Sequence, residues 1–159
     1  MAYPRWAWIS TFVLTIAGLG ISIYLTYEHA SGSNSLACPD TGFFNCNLVT
    51  TSKYSTLGGA PVAYLGLAFF LGAAGLFCPW AWRLTSPIIR LARMASVAIG
   101  LVMVGYLVWA ELYRIHAICL WCTSVHVITL LMFIVTLFAE VGGPRSDDLE
   151  WLDVLDDEE

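Results

Sequence analysis

Four cysteines fall in two close pairs: Cys38 and Cys46, and then Cys119 and Cys122 in a Cys-Leu-Trp-Cys motif. The thiolate is the attacking species in thiol–disulfide exchange. A C-x-x-C motif that opens a helix suits that chemistry, because unpaired amides and the partial positive charge of the helix amino end stabilise a thiolate. Three steps along one helix also keep the two sulfurs close enough to interconvert between dithiol and disulfide. His126 follows Cys122 by four residues, on the same helix face and one turn deeper. An ionisable group inside an apolar span is a functional candidate by default; the ordinary alternative is a packing histidine bonded to a neighbouring helix. Each pair has its plain alternative too. Cys38–Cys46 could be a static clip on a loop. Cys119–Cys122 could be structural, although so short a bridge removes little loop entropy. Zinc binding by Cys119, Cys122 and His116 or His126 fits by ligand type, but an oxidising surrounding disfavours it. Cys78 reads as a small packed apolar residue. Glu28, Glu111 and Arg114 read as solvated or mutually paired charges near a span end, and Ser52 alone as an ordinary loop hydroxyl.

The elements that must position these residues are apolar. The 159 residues are 58% hydrophobic and 12% charged, with a mean hydropathy of +0.74; soluble domains run about 45–50% apolar and about 25% charged. Eight of the twelve acids lie in the last thirteen residues, and the 146 residues before them carry seven basic and four acidic side chains, a net +3. No basic patch exists to neutralise phosphates, so nucleic acid is not an expected partner. A bilayer core about 30 Å thick needs roughly 20 apolar residues as helix. Trp6–Tyr27, Ala60–Trp82 and Ala117–Ala139 meet that length without a charge, and Met94–Ala110 does so once extended by Ile88–Leu91, Leu112 and Tyr113. The first run exceeds the apolar core of a signal peptide and reads as a retained helix. The expected fold is therefore an all-α membrane protein, a four-transmembrane-helix bundle. Small residues such as Ala17, Gly18, Gly20, Gly66, Gly72 and Gly75 would let its helices approach closely. Arg5, Arg83, Arg90, Arg93 and Arg145 fall on one side of the spans and only Lys53 and Arg114 on the other. That asymmetry predicts both termini in the cytoplasm. It also turns the loop between helices 1 and 2, with Cys38 and Cys46, and the C-x-x-C outward, into a disulfide-permissive compartment.

The outer pair CPDTGFFNC, the VTTSKYS stretch with Ser52 that follows it, the GGAPVAYLG entry to the second span and AICLWC together resemble the vitamin K epoxide reductase family, in particular its bacterial quinone-linked, disulfide-forming members. The resemblance runs from about Trp6 to about Ala139. It divides the chain into a vitamin K epoxide reductase-like membrane domain over 1–140 and an acidic cytoplasmic tail over 141–159. It implies a relay: Cys38 takes the mixed disulfide with a separate thioredoxin-like or DsbA-like partner, Cys46 attacks Cys119, and Cys122 passes electrons to a membrane quinone, menaquinone or ubiquinone. Ser52 matches the family serine near the quinone. Where the animal enzymes carry a quinone-bonding tyrosine four residues after the C-x-x-C, this chain has His126, which can donate a comparable hydrogen bond. No residue between Ser52 and Ala60 matches those enzymes' quinone-binding asparagine. The tail is too short for the thioredoxin domain that some bacterial members carry fused. A bacterial-type motif set without an ER retention ending points to the cell membrane, with the protein multi-pass; an ER member is the weaker alternative.

The expected activity is thus a quinone-dependent thiol oxidase supporting disulfide formation, with Cys38, Cys46, Cys119 and Cys122 catalytic, Ser52 and His126 at the quinone, and no metal. A membrane metal-binding protein using the outer cysteines and histidines is the alternative. A tetraspan structural protein with a stapled loop is the third reading.

Overall fold

The computed structural model describes residues 3–32, 36–38, 42–84 and 86–142. Helix α1 runs Arg5–Ser31 and ends on Gly32, whose left-handed backbone (φ 62°) stops it. Short helix α2, Cys46–Thr50, is capped by the Asn45 side chain, which accepts the Leu48 amide at 2.8 Å. After a 3-10 turn at Lys53–Ser55, strands β1 (Thr56–Leu57) and β2 (Ala60–Pro61) pair antiparallel around Gly58 and Gly59. Both glycines have positive φ (60° and 87°), as a two-residue hairpin turn requires. Helix α3 follows at Val62–Leu76, α4 at Pro87–Ala110 and α5 at Leu120–Gly142. A five-residue π-helical segment, Glu111–Ile115, prolongs α4 and ends at His116 in the left-handed region (φ 57°).

Four helices form the bundle: α1 packs on α3 and α5, and α4 packs on α5 and α3. Among the described residues three of them, Arg5–Ser31, Pro87–Ile115 and Leu120–Gly142, are long and apolar enough to cross a membrane. The run Ala60–Trp82 does not form one long helix. Helix α3 has only 15 residues, about 22 Å at 1.5 Å per residue, because Pro79 lacks an amide and disfavours helical backbone at Cys78. The Cys78 thiol instead bonds the Gly75 carbonyl, and a 3-10 turn at Ala81–Arg83 closes the corner. The fourth helix also starts later than the apolar run beginning at Ala117, with Ala117, Ile118 and Cys119 still outside it. Residues 143–159, which hold the acidic tail, lie outside the described residues.

The interior is built from small and aromatic groups. Ala7, Thr11, Thr15, Gly18 and Ser22 are the buried face of α1. Thr11 and Thr15 donate to the carbonyls four residues back (2.8 and 2.7 Å), so their hydroxyls enter the interior satisfied. Of the small residues expected at helix contacts, Gly18 meets the ring of Phe70 and Gly66 meets Ser22, whereas Ala17 is exposed and Gly20, Gly72 and Gly75 face open space. Gly100, which the sequence reading did not single out, lets Phe69 and Thr129 close on α4. Large apolar side chains such as Val13, Leu71, Ile99, Val102 and Phe138 point outward, at more than half exposure, as contact with lipid tails would require.

At the end of the bundle away from the cysteine pairs, Arg93 is fully buried and stacks on Trp82 with its guanidinium 4.0 Å from the ring centre. Glu140 pairs with Arg93 at 3.0 Å and with Arg90 at 2.9 Å, and accepts the Tyr3 hydroxyl at 2.8 Å. One carboxylate thereby ties α4, α5 and the chain entering α1. Burial, and then the bond to Glu140, raise the Tyr3 phenol above its ordinary pKa, so it stays a donor. Gly18 is the tightest point between α1 and α3. A Cβ there would overlap the buried Phe70 ring, so Gly18→Ala should cost about 1–3 kcal/mol, read as a lower thermal midpoint in detergent; Gly20→Ala, in open space, should leave the midpoint in place.

Candidate functional site

The two cysteine pairs meet at one end of the bundle. A pair of backbone hydrogen bonds brings them there: Ile118 N–H donates to the Phe43 carbonyl at 2.9 Å, and Asn45 N–H donates to the Ile118 carbonyl at 3.2 Å. Phe44 and Ile118 form the resulting parallel bridge. Each strand of that bridge is one or two residues from a cysteine. A second clasp holds the far side of the loop, where Trp121 Nε1–H donates to the Ala37 carbonyl at 3.1 Å and Ala37 N–H donates to the Tyr24 hydroxyl at 3.2 Å. The Tyr24 and Trp121 rings lie 4.9 Å apart.

Cys38 and Cys46 are disulfide-bonded. Cys119 and Cys122 are free thiols. Cys46 and Cys119 are both fully buried in a single small cluster with Val49 and Ala117, against which Cys38, Trp121 and Cys122 pack. Cys119 stands in the cap position of α5, where its carbonyl accepts the Thr123 amide at 2.9 Å and its Sγ accepts the Cys122 amide at 3.4 Å. Hydrogen bonding from the Cys122 thiol, foremost, and from the amides of Cys122 and Trp121 holds the Cys119 thiol below its ordinary pKa, against the opposing effect of burial. A capping sulfur at a helix amino end is the expected consequence of placing C-x-x-C there.

Beyond Cys122 opens a cavity of about 770 Å³ between the four helices and the loop that follows α2. Leu25, Leu65, Phe69, Phe70, Met103 and Leu107 supply much of its apolar wall. Its polar groups include Cys122 and His126 from α5, Ser52 from the loop and Glu111 from the π-helical segment, with Glu28 and His29 of α1 and further polar side chains of the loop after α2 along the same wall. Ser52 is half-buried and donates to the Val49 carbonyl at 2.8 Å, an anchor that fixes the oxygen at the cavity wall. His126 is buried. So Ser52, Cys122 and His126 come together at the cavity, while Cys38, Cys46 and Cys119 lie in the adjoining cluster. Cys78 sits far from them on the turn after α3. Among the described residues no three His, Cys, Asp or Glu side chains form a set that could hold a metal ion.

One charge departs from the sequence reading. Arg114 is exposed, as read, and does not pair with Glu111: its Nε donates to the Tyr54 hydroxyl at 2.7 Å, and the guanidinium lies 5.7 Å from the Trp109 ring centre. That bond lowers the exposed Tyr54 phenol from its ordinary pKa. Glu111 is not solvated but 5% exposed, and its carboxylate accepts the backbone amide of Cys119. In an α-helix residues three apart share a face; the wider π turn, with its i→i+5 spacing, separates them. Charge inside an otherwise apolar wall was the available signal for Glu111, and its place near a span end hid it.

Comparison with known proteins agrees with the chemistry. No curated protein matches the chain. The model of the Vitamin K epoxide reductase family matches residues 5–137. This is a family of membrane oxidoreductases that use quinones and are linked to thioredoxin-like partners. The match takes in α1 through α4 and most of α5, and so both cysteine pairs and the cavity wall; the chain belongs to the vitamin K epoxide reductase family.

Proposed function

We propose that the chain is a multi-pass, quinone-dependent thiol oxidase that recharges a separate thioredoxin-like or DsbA-like protein and so supports disulfide formation. The observation that carries this reading is the continuity of the site. An outer disulfide, a buried contact cluster and a cavity wall are occupied in turn by Cys38–Cys46, Cys119 and Cys122. In this reading α3 is a fourth, shorter span, both termini are cytoplasmic and the cysteine loop is extracytoplasmic, which puts Arg5, Arg83, Arg90 and Arg93 inside.

The residues fit a quinone. The cavity volume lies in the range of roughly 300–1,000 Å³ usual for small-molecule sites, its wall is mainly apolar, and Ser52 and His126 offer hydrogen-bonding groups in the wall that Cys122 also lines. A bound menaquinone or ubiquinone would supply the two-electron acceptor that cysteine alone lacks. The chain's own residues do the rest. A partner thiolate attacks Cys38 Sγ, the Cys38–Cys46 bond breaks, and Cys46 leaves as thiolate; the partner's second thiol then resolves the mixed disulfide. Cys46 attacks Cys119 when Cys119 is bonded to Cys122, releasing Cys122 at the cavity, and Cys38 closes back on Cys46. Each turnover converts one partner dithiol to a disulfide and delivers two electrons and two protons to the acceptor. Donor and acceptor meet only through the two pairs, so water and partner stay on one side and the apolar acceptor on the other.

The test is quinol formation by the purified protein with a reduced DsbA-like partner. Wild type should turn over and Cys122→Ala should not, while Cys38→Ala should lose electrons from the partner yet still accept them from a small dithiol. Absence of quinol with either quinone, in wild type, overturns the proposal. His126→Ala should slow quinone reduction by about tenfold or more, the scale of a lost hydrogen bond to a reacting group, and leave thiol exchange with the partner within about twofold. Equal losses in both steps would remove His126 from the quinone site.

A further inference from the structure

Cys119 and Cys122 must both give up a proton for every dithiol oxidised, yet only Cys122 borders the cavity. Cys119 is fully buried in the adjoining cluster, against which Cys122 also packs. A dedicated carrier for the proton of Cys119 has to reach both Cys119 and the cavity. Glu111 is that group: its carboxylate meets Cys119 at the backbone amide, and its side chain is also part of the cavity wall with Cys122 and His126. It is 5% exposed, in the apolar wall of a membrane bundle, where a carboxyl is costly without a task. Its chain neighbour of opposite charge, Arg114, is turned away onto Tyr54 and Trp109. The other titratable or charged groups at the cavity are Glu28 and His29 from α1, Lys53 and Tyr54 from the loop, and Cys122 and His126 from α5.

We propose that Glu111 stores the proton of Cys119 and delivers it to the cavity when the C-x-x-C pair is oxidised. The inference rests on the quinone-oxidase reading for its acceptor, and on the geometry above for the carrier. In the reduced site Cys119 is thiolate, Cys122 thiol and Glu111 carboxylic acid. Oxidation forms the Cys119–Cys122 bond and sends two electrons to the quinone. One proton leaves Cys122 and the other leaves Glu111, so quinol forms and Glu111 is left as carboxylate, with net charge conserved at the site. Reduction by the partner's dithiol returns one proton to Cys122 and one to Glu111. The Cys119 amide, donating to the carboxylate, steadies it in the oxidised half of the cycle.

The carrier can be observed without any quinone. Infrared difference spectra of the full-length, quinone-free protein, dithiothreitol-reduced minus oxidised, should show a gain of one carboxylic-acid C=O band that vanishes in Glu111→Gln. The Gln variant keeps the shape and the acceptor for the Cys119 amide, and its Cys38–Cys46 bridge and thermal midpoint serve as folding controls. With quinone and reduced partner, Glu111→Gln should form quinol about a hundredfold more slowly, the lower end of general acid–base contributions. The mixed disulfide at Cys38 should form within about twofold of wild type, and Glu111→Asp should recover part of the loss. If the Gln variant retains the band, or makes quinol within twofold of wild type, Glu111 is not the carrier. If wild type shows the band but makes no quinol, the proton store stands and the quinone reading falls.

Discussion

The Phe43–Ile118–Asn45 backbone bridge is the joint on which this site depends. A membrane helix bundle has no polar backbone to spare, since each amide and carbonyl must be satisfied within the chain. A loop can add backbone hydrogen bonds to such a bundle where extended chain precedes a helix. The two residues before Cys119 provide that chain. Their pairing with residues 43–45 sets Cys46 in the same buried cluster as Cys119. The Trp121–Ala37–Tyr24 clasp fixes the other side of the loop, so Cys38 is held from both directions.

The two ends of the bundle use charge in opposite ways. At one end Glu140 pairs with Arg90 and Arg93 and accepts the Tyr3 hydroxyl, drawing α4, α5 and the chain entering α1 together beside Trp82. A buried pair of this kind adds modest net stability but is costly to break on one side, which suits an element whose role is to keep helices in register. At the other end the polar side chains are left open toward a cavity. Ser52, Glu111, Cys122 and His126 are spread along its wall without forming a closed set. The first arrangement holds shape; the second leaves hydrogen-bonding capacity for a ligand.

Much of this was legible in the sequence, for identifiable reasons. The cysteine spacings marked two close pairs as candidates for thiol exchange, and the position of C-x-x-C before a long apolar run placed it at a helix start, as Cys119 in the cap position of α5 confirms. The apolar runs gave the helices of the bundle. Boundaries were less readable where one residue overrides a run: Pro79 ends α3 early, and nothing in hydropathy marks that. The partner of a charge was unreadable where backbone geometry changes. Glu111 and Arg114, three apart, look like a pair on a regular helix, and the π-helical segment sends one into the cavity wall and the other to Tyr54. Packing glycines were half-legible, because sequence shows that Gly18 and Gly20 are small but not which of them meets Phe70.

The central claim is that electrons cross from the loop to the membrane pair at the contact between Cys46 and Cys119. Trapping that contact tests it most directly. In a protein carrying both Cys38→Ala and Cys122→Ala, mild oxidation should join Cys46 to Cys119, and peptide mapping by mass spectrometry should find that disulfide in most molecules. If the two thiols stay free under oxidant in the folded protein, or Cys46 instead bonds Cys78, the crossing does not occur there and the relay is wrong.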